Sequence, residues 1–103
     1  MQDTYLQQTH DIVLRMTSHL DCTIFLFGSR AGGNHRRSSD IDIGVSGLPE
    51  PLFAKIRDAL LAELEESMVP HHIDIVDFDT VPADFREVAM RKVKIWKQNS
   101  RGN

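Results

Sequence analysis

The chain has 103 residues, of which 41% are hydrophobic and 26% charged, and its formal net charge is −3. This length predicts one domain, residues 1–103, with a single modest core. The net negative charge argues against broad capture of nucleic acid, and no apolar stretch approaches the ~20 residues that span a bilayer. The N-terminus lacks the pattern of a signal peptide, and the single cysteine excludes an internal disulfide, so we expect a cytoplasmic protein.

The first half of the chain predicts a helix followed by two strands. Apolar residues at helical spacing predict a helix over residues 3–19. Residues 23–27 form a nearly continuous apolar run, which is typical of a strand buried on both faces. The run stops at Gly28-Ser29, and residues 30–39 predict a flexible loop that could close over a nucleotide. Residues 40–45 alternate between apolar residues and Asp or Gly, which predicts the second strand.

The second half predicts two more helices and two more strands. A helix begins near Pro51 and ends at Pro70, with an apolar stripe that we expect to be core: Phe53, Ile56, Leu60 and Leu64. Residues 72–78 predict a strand, Pro82 can open a last helix, and residues 93–96 predict a short edge strand. The predicted order α-β-β-α-β-α-β indicates an α+β or α/β fold with a small mixed sheet and helices packed on it.

Three aspartates lie on the predicted strands. Asp40 and Asp42 are two residues apart on one strand, so these residues share a face and lie ~6.5 Å apart along it. Their carboxylates repel each other, and a divalent cation such as Mg²⁺ removes the repulsion because it binds hard oxygen ligands. If the strand of Asp74 is a neighbour, its carboxylate approaches to ~5 Å. Three carboxylates at one end of a sheet predict a two-metal site for phosphoryl chemistry.

The turn before these acids predicts a phosphate site. Gly28 leaves room for a phosphate beside the backbone, and Ser29 offers an N–H and a hydroxyl. A short helix after the turn would favour an anion, and Arg30 could stabilise charge on phosphate oxygens. The chain shows no nucleophilic cysteine or Ser–His pair, which favours direct transfer over a covalent intermediate.

Simpler interpretations stay open for these residues. Asp40 and Asp42 could be surface acids at a solvated strand end, Ser29 could cap a helix, and Arg30 could form a surface ion pair. The pair His71-His72 does not predict a zinc site, because adjacent strand residues point to opposite faces and no Cys/His set accompanies them.

The spacing of the two motifs resembles that of a known family. Gly28-Ser29, ten residues and then Asp40-Ile41-Asp42 resemble the G-S-x₁₀-D-x-D signature of the minimal nucleotidyltransferases, in the superfamily of DNA polymerase β. Asp74 is similar to the third acid of that family, which lies on a later strand. The resemblance covers residues 23–96, and the chain has Gly32 where the family often has a second arginine.

The resemblance implies a nucleotidyltransferase fold, so that residues 1–103 would form one nucleotidyltransferase domain. By the resemblance, Asp40, Asp42 and Asp74 would hold two Mg²⁺ ions, and Gly28 and Ser29 would bind the triphosphate of ATP or another NTP. Asp74 would also help to activate an acceptor hydroxyl, either directly or through the metal. That hydroxyl would attack the α-phosphate and release pyrophosphate.

The resemblance also implies a biological role. Minimal members commonly pair with a helical HEPN-domain protein, and in toxin–antitoxin versions the transferase is the antitoxin that adds AMP to a tyrosine of the toxin. Two alternatives stay open, transfer to a small molecule as in the aminoglycoside nucleotidyltransferases, and a non-catalytic antitoxin that only binds its partner. A small sheet with exposed apolar faces would also be compatible with a homo-oligomer.

Overall fold

The structure is a computed structural model in which residues 4–32 and 40–100 are described. Most of the predicted flexible loop, residues 33–39, therefore lies outside the described residues. Along the chain lie α1 (Thr4–Met16), β1 (Thr23–Phe27), α2 (Ser29–Gly32), β2 (Ile41–Ser46), α3 (Glu50–Glu66), β3 (Ile73–Asp77), α4 (Ala83–Ala89) and β4 (Lys94–Lys97). The mixed α+β architecture and the predicted edge strand near the C-terminus are confirmed.

The four strands form one mixed sheet in the order β3-β2-β1-β4. Strand β1 pairs antiparallel with β2 and with β4, whereas β2 and β3 are parallel. A parallel pair needs a crossover, and α3 provides it between β2 and β3. This crossover places the strand of Asp42 directly beside the strand of Asp74, as the metal-site hypothesis requires.

The two faces of the sheet have different surroundings. The larger core lies on the face that α1 and α3 cover, and the predicted stripe of α3 belongs to it, with Phe53, Leu60 and Leu64 buried. The opposite face carries a small aromatic cluster, Phe25, Phe27 and Phe78. Gly44 is needed there, because a Cβ at this position would overlap the ring of Phe25.

Both long helices end earlier than their sequence patterns predict. Helix α1 ends at Met16 rather than at residue 19, and the carbonyl of Thr17 accepts hydrogen bonds from the Leu20 N–H and the Lys97 ammonium. Helix α3 ends at Glu66, four residues before Pro70. Ser67 has an extended backbone, and its hydroxyl donates a hydrogen bond to the carbonyl of Leu64. The side chain of Ser67 thus satisfies a carbonyl group at the end of the helix.

The C-terminal part covers the sheet only thinly. Helix α4 contains no buried residue, and Phe85, Val88 and Ile95 are 44%, 61% and 51% exposed. These apolar side chains are compatible with the homo-oligomer, which stays a prediction. Within the described ranges, every helix is too short or too polar to cross a membrane.

Candidate active site

The acids share one face of the sheet because of strand alternation. Ile41 and Ile43 of β2 and Ile73 and Ile75 of β3 are buried in the larger core. The residues between them therefore point to the opposite face, away from α1 and α3. Position 42 on β2 and position 74 on β3 are both of this kind. The alternation predicted from sequence is confirmed, and it directs the carboxylates to the thinly covered side.

The parallel register then brings the acids together. Asp42 pairs with Asp74 across the two strands, one step after the pair Ile41 and Ile73. Asp40 directly precedes β2, and one of its carboxylate oxygens lies within 4.8 Å of a carboxylate oxygen of Asp74. The structure thus brings ligand atoms of Asp40 and Asp74 close together, and it places Asp42 beside Asp74 at the start of the two neighbouring strands.

The Gly28-Ser29 turn is in contact with this group. Asp42 pairs with Phe27, the last residue of β1, so its side chain reaches the turn that follows. Gly28 has φ +76°, and a Cβ there would overlap the carboxylate of Asp42. Glycine is therefore required both by the backbone conformation and by the neighbouring side chain. Ser29 is the first residue of α2, the short helix that the sequence analysis allowed after this turn, and it is exposed.

The negative charges of the three aspartates repel one another at this site. Burial raises the pKa of Asp42 above its ordinary value, and the negative charges of Asp74 and then Asp40 raise it further. A carboxyl group with a raised pKa is one whose ionised form is destabilised by its surroundings. A divalent cation would reverse this, since the donors are hard oxygens that converge on one exposed end of the sheet. The residues therefore fit Mg²⁺.

A cavity of about 500 Å³ begins at the same turn. Its walls combine aromatic and aliphatic side chains with two basic ones, and it is lined by Phe27, Gly28, Ser29, Gly32, Phe85, Val88, Ala89, Arg91 and Lys92. The stem of Lys92 passes Gly32, with its Cδ atom 3.7 Å from the place of a Cβ on that glycine. Cationic and aromatic groups together suit a phosphorylated ligand with a planar ring. Sequence reasoning missed this contribution of α4 and the segment after it.

Arg30 has surroundings that its sequence position did not indicate. Its side chain is only 1% exposed, and a guanidinium nitrogen lies 3.5 Å from Nδ1 of His71. A surface ion pair is therefore not its environment. Its contact with phosphate stays a prediction.

His72 is a second residue that sequence reasoning missed. It precedes Asp74 by two positions, so both side chains are on the same face, and Nε2 of His72 lies 3.1 Å from Oδ1 of Asp74. The signal was present in the sequence, because His72-Ile73-Asp74 has the same spacing as Asp40-Ile41-Asp42. Only the parallel register shows that the two triplets lie side by side.

Known proteins are similar to this chain in sequence and in fold. A Haemophilus influenzae protein named "Probable protein adenylyltransferase MntA" is 39% identical over 75 residues, which are 73% of this chain and 64% of the relative, so less than two thirds of the relative is matched. A structure of a toxin–antitoxin with AMP-PNP has a TM-score of 0.64 at 20% identity, covering 89% of this chain and 75% of that one. A tri-AMPylated Shewanella oneidensis HEPN toxin in complex with MNT antitoxin gives a TM-score of 0.62 at 18% identity, covering 92% and 74%.

At these identities, the two solved structures show a common fold. The family model described as "Polymerase beta, Nucleotidyltransferase" matches residues 13–101. That range contains the turn, the three aspartates and the cavity. The chain belongs to the polymerase beta nucleotidyltransferase family.

Proposed function

We propose that this chain is a Mg²⁺-dependent nucleotidyltransferase that transfers AMP from ATP to a hydroxyl group. The observation that carries the proposal is that Asp40, Asp42 and Asp74 lie at the start of two neighbouring strands, with the carboxylate of Asp42 against the exposed Gly28-Ser29 turn. When bound, Mg²⁺ would bring the triphosphate to these carboxylates and neutralise the charge that develops on its oxygens.

The residues of this chain have separate tasks in the proposed reaction. The acids would hold two Mg²⁺ ions, and the N–H groups and hydroxyl of Gly28-Ser29 would bind phosphate oxygens. The acceptor oxygen forms a bond to the α-phosphorus as the bond to the bridging oxygen of pyrophosphate breaks. Pyrophosphate leaves with that electron pair, and Asp74 takes the proton of the acceptor hydroxyl.

The cavity beside the turn would hold the part of ATP that extends past Gly28-Ser29. Lys92 and Arg91 bring positive charge to it, and the stem of Lys92 passes beside Gly32 at ordinary contact distance. Lys92→Gln should therefore weaken ATP binding by about tenfold, the loss of one charge-assisted contact to phosphate. The matched control is Lys55→Gln, an exposed lysine on α3, which covers the other face.

The acceptor in this proposal is a tyrosine of a HEPN toxin, so that AMP transfer in the cytoplasm makes this chain the antitoxin. The support is the 39% identity to a protein named as an adenylyltransferase and the structural likeness to an antitoxin in complex with an AMPylated HEPN toxin. The partner would be encoded in an adjacent reading frame.

The test is a labelling experiment with the purified chain, Mg²⁺ and the HEPN protein from the adjacent frame. Label from [α-³²P]ATP should appear on the HEPN protein, whereas label from [γ-³²P]ATP should not, because AMP rather than phosphate is transferred. Asp42→Asn should abolish transfer, and Asp58→Asn on α3 should leave it unchanged. Inhibition of the toxin that persists in Asp42→Asn without label would overturn the proposal in favour of binding alone. Label on an aminoglycoside instead of the HEPN protein would move the acceptor to small molecules.

A further inference from the structure

The aspartates share their end of the sheet with a histidine. Asp40 and Asp42 lie along one strand, and His72 and Asp74 lie beside them along its parallel neighbour. Ligand atoms of Asp40, His72 and Asp74 all lie within 4.8 Å of one another. This triplet therefore contains a nitrogen donor that a purely carboxylate site would lack.

We propose that His72 is a metal ligand, and that Asp40, His72 and Asp74 bind divalent transition-metal ions such as Mn²⁺ and Co²⁺ more tightly than Mg²⁺. The inference deepens the metal site of the proposed function and rests on it. Its chemical basis is that Mg²⁺ prefers oxygen donors, whereas the affinity of a site containing a nitrogen donor for transition-metal ions rises from Mn²⁺ to Co²⁺.

The position of His72 is set by the sheet rather than by its side chain. Its carbonyl accepts a hydrogen bond of 2.9 Å from the N–H of Ile41, which fixes the backbone at the entrance of the parallel pair. The imidazole is 66% exposed, so the larger core does not depend on it. A histidine here is therefore free to bind a ligand without disturbing the fold.

The distance between the donor atoms is also suitable. Nε2 of His72 and Oδ1 of Asp74 are 3.1 Å apart. Two neighbouring ligands of an octahedral ion with bonds of ~2.1 Å are separated by about 3.0 Å. The hydrogen-bonded pair thus already has the spacing of two adjacent ligands. Binding requires only that the imidazole carry its proton on Nδ1, so that the lone pair of Nε2 faces the ion.

The direct test is pulsed electron paramagnetic resonance of Mn²⁺ bound to the full chain, without nucleotide or partner. We expect modulation from a directly coordinated ¹⁴N nucleus in the wild type and its loss in His72→Asn. The matched control is His19→Asn, because His19 is an exposed histidine after α1 and outside the cluster. It should keep the nitrogen signal.

Calorimetric titration of the same variants provides the second readout. His72→Asn should weaken Co²⁺ binding about tenfold or more and Mn²⁺ binding by a smaller factor, while Mg²⁺ affinity stays within about twofold, because the preference for a nitrogen donor rises from Mg²⁺ through Mn²⁺ to Co²⁺. A wild type that binds Mn²⁺ without nitrogen coupling would overturn the inference and leave the proposed transferase intact. An equal loss for all three ions would overturn it as well, since His72 would then only position Asp74. Nitrogen coupling without AMP transfer would uphold the inference and reject the proposed function.

Discussion

Replacing Gly28 with alanine tests two reasons why the structure requires glycine at this position, its backbone conformation and the space for Asp42. The backbone at Gly28 has φ +76°, and a Cβ there would overlap the carboxylate of Asp42. The first reason concerns stability, because an L-residue in the left-handed region costs roughly 1–2 kcal/mol. The second concerns the metal site, because Asp42 has to move away to make room.

Gly47 offers a matched control. It has φ +97°, yet a Cβ there would meet its nearest neighbour, the Cα atom of Cys22, at 3.6 Å, which is ordinary contact. Gly47→Ala therefore carries the backbone cost without displacing any acid. Each variant should lose about 1–2 kcal/mol, which lowers Tm by roughly 4–16 °C for a domain of this size.

The two variants should differ in metal binding. With Asp42 displaced, Gly28→Ala should bind Mg²⁺ at least about tenfold more weakly in calorimetric titration, whereas Gly47→Ala should bind as the wild type does. Thermal unfolding in EDTA measures the stability of both variants. The metal titrations are made below the Tm of either variant, so that both are folded when their Mg²⁺ affinities are compared. Equal Mg²⁺ affinity in the two variants would refute the argument that Gly28 makes room for Asp42.

Three further variants test the electrostatics and packing of the sheet. Asp42→Asn should stabilise the metal-free protein by about 1 kcal/mol at pH 7, from carboxylates ~5 and ~6.5 Å away in salt-screened water. Because the pKa of Asp42 is raised in the folded protein, its ionised form destabilises the fold at pH values above that pKa. The stability advantage of Asp42→Asn should therefore vanish as the pH falls through the pKa of Asp42. An Asp42→Asn variant that is less stable than the wild type in EDTA would contradict this expectation. Gly44→Ala should cost about 1–3 kcal/mol in urea unfolding, because its Cβ would overlap the ring of Phe25. Leu60→Ala, at a side chain only 1% exposed in the larger core, should cost about 2–5 kcal/mol by the same measurement without changing Mg²⁺ affinity.

The features that the sequence predicted are those set by local chemistry. Strand alternation indicated that Asp40 and Asp42 share a face, and a Gly-Ser pair after a buried strand indicated the turn. Both features depend on residues that are close in the chain, and their periodicity and conformational preferences can be recognised from the sequence alone. The buried stripe of α3 was predicted for the same reason. The C-terminal end of α3 was not, because the hydroxyl of Ser67 donates a hydrogen bond to the carbonyl of Leu64 and the helix ends before Pro70.

The features that the sequence left open depend on pairing between distant segments. Sequence spacing allows Asp74 to approach Asp42, but only the crossover through α3 makes the strands parallel neighbours in that register. The same register places His72 beside Asp40, so a histidine that no local zinc pattern supported becomes part of the acid group.

The site and the larger core lie on opposite faces of one sheet. The isoleucines that alternate with the acids bury themselves under α1 and α3, where Ile41 and Ile43 are fully buried. Strands β2 and β3 therefore contribute to stability with one set of side chains and to the site with the other. A face that concentrates Asp40, Asp42 and Asp74 lowers stability through repulsion, and burial of the isoleucines on the other face offsets that cost. Because alternate residues of one strand do both, a one-residue slip of β2 would bury its acids and expose its isoleucines, so the core itself fixes the register on which the site depends.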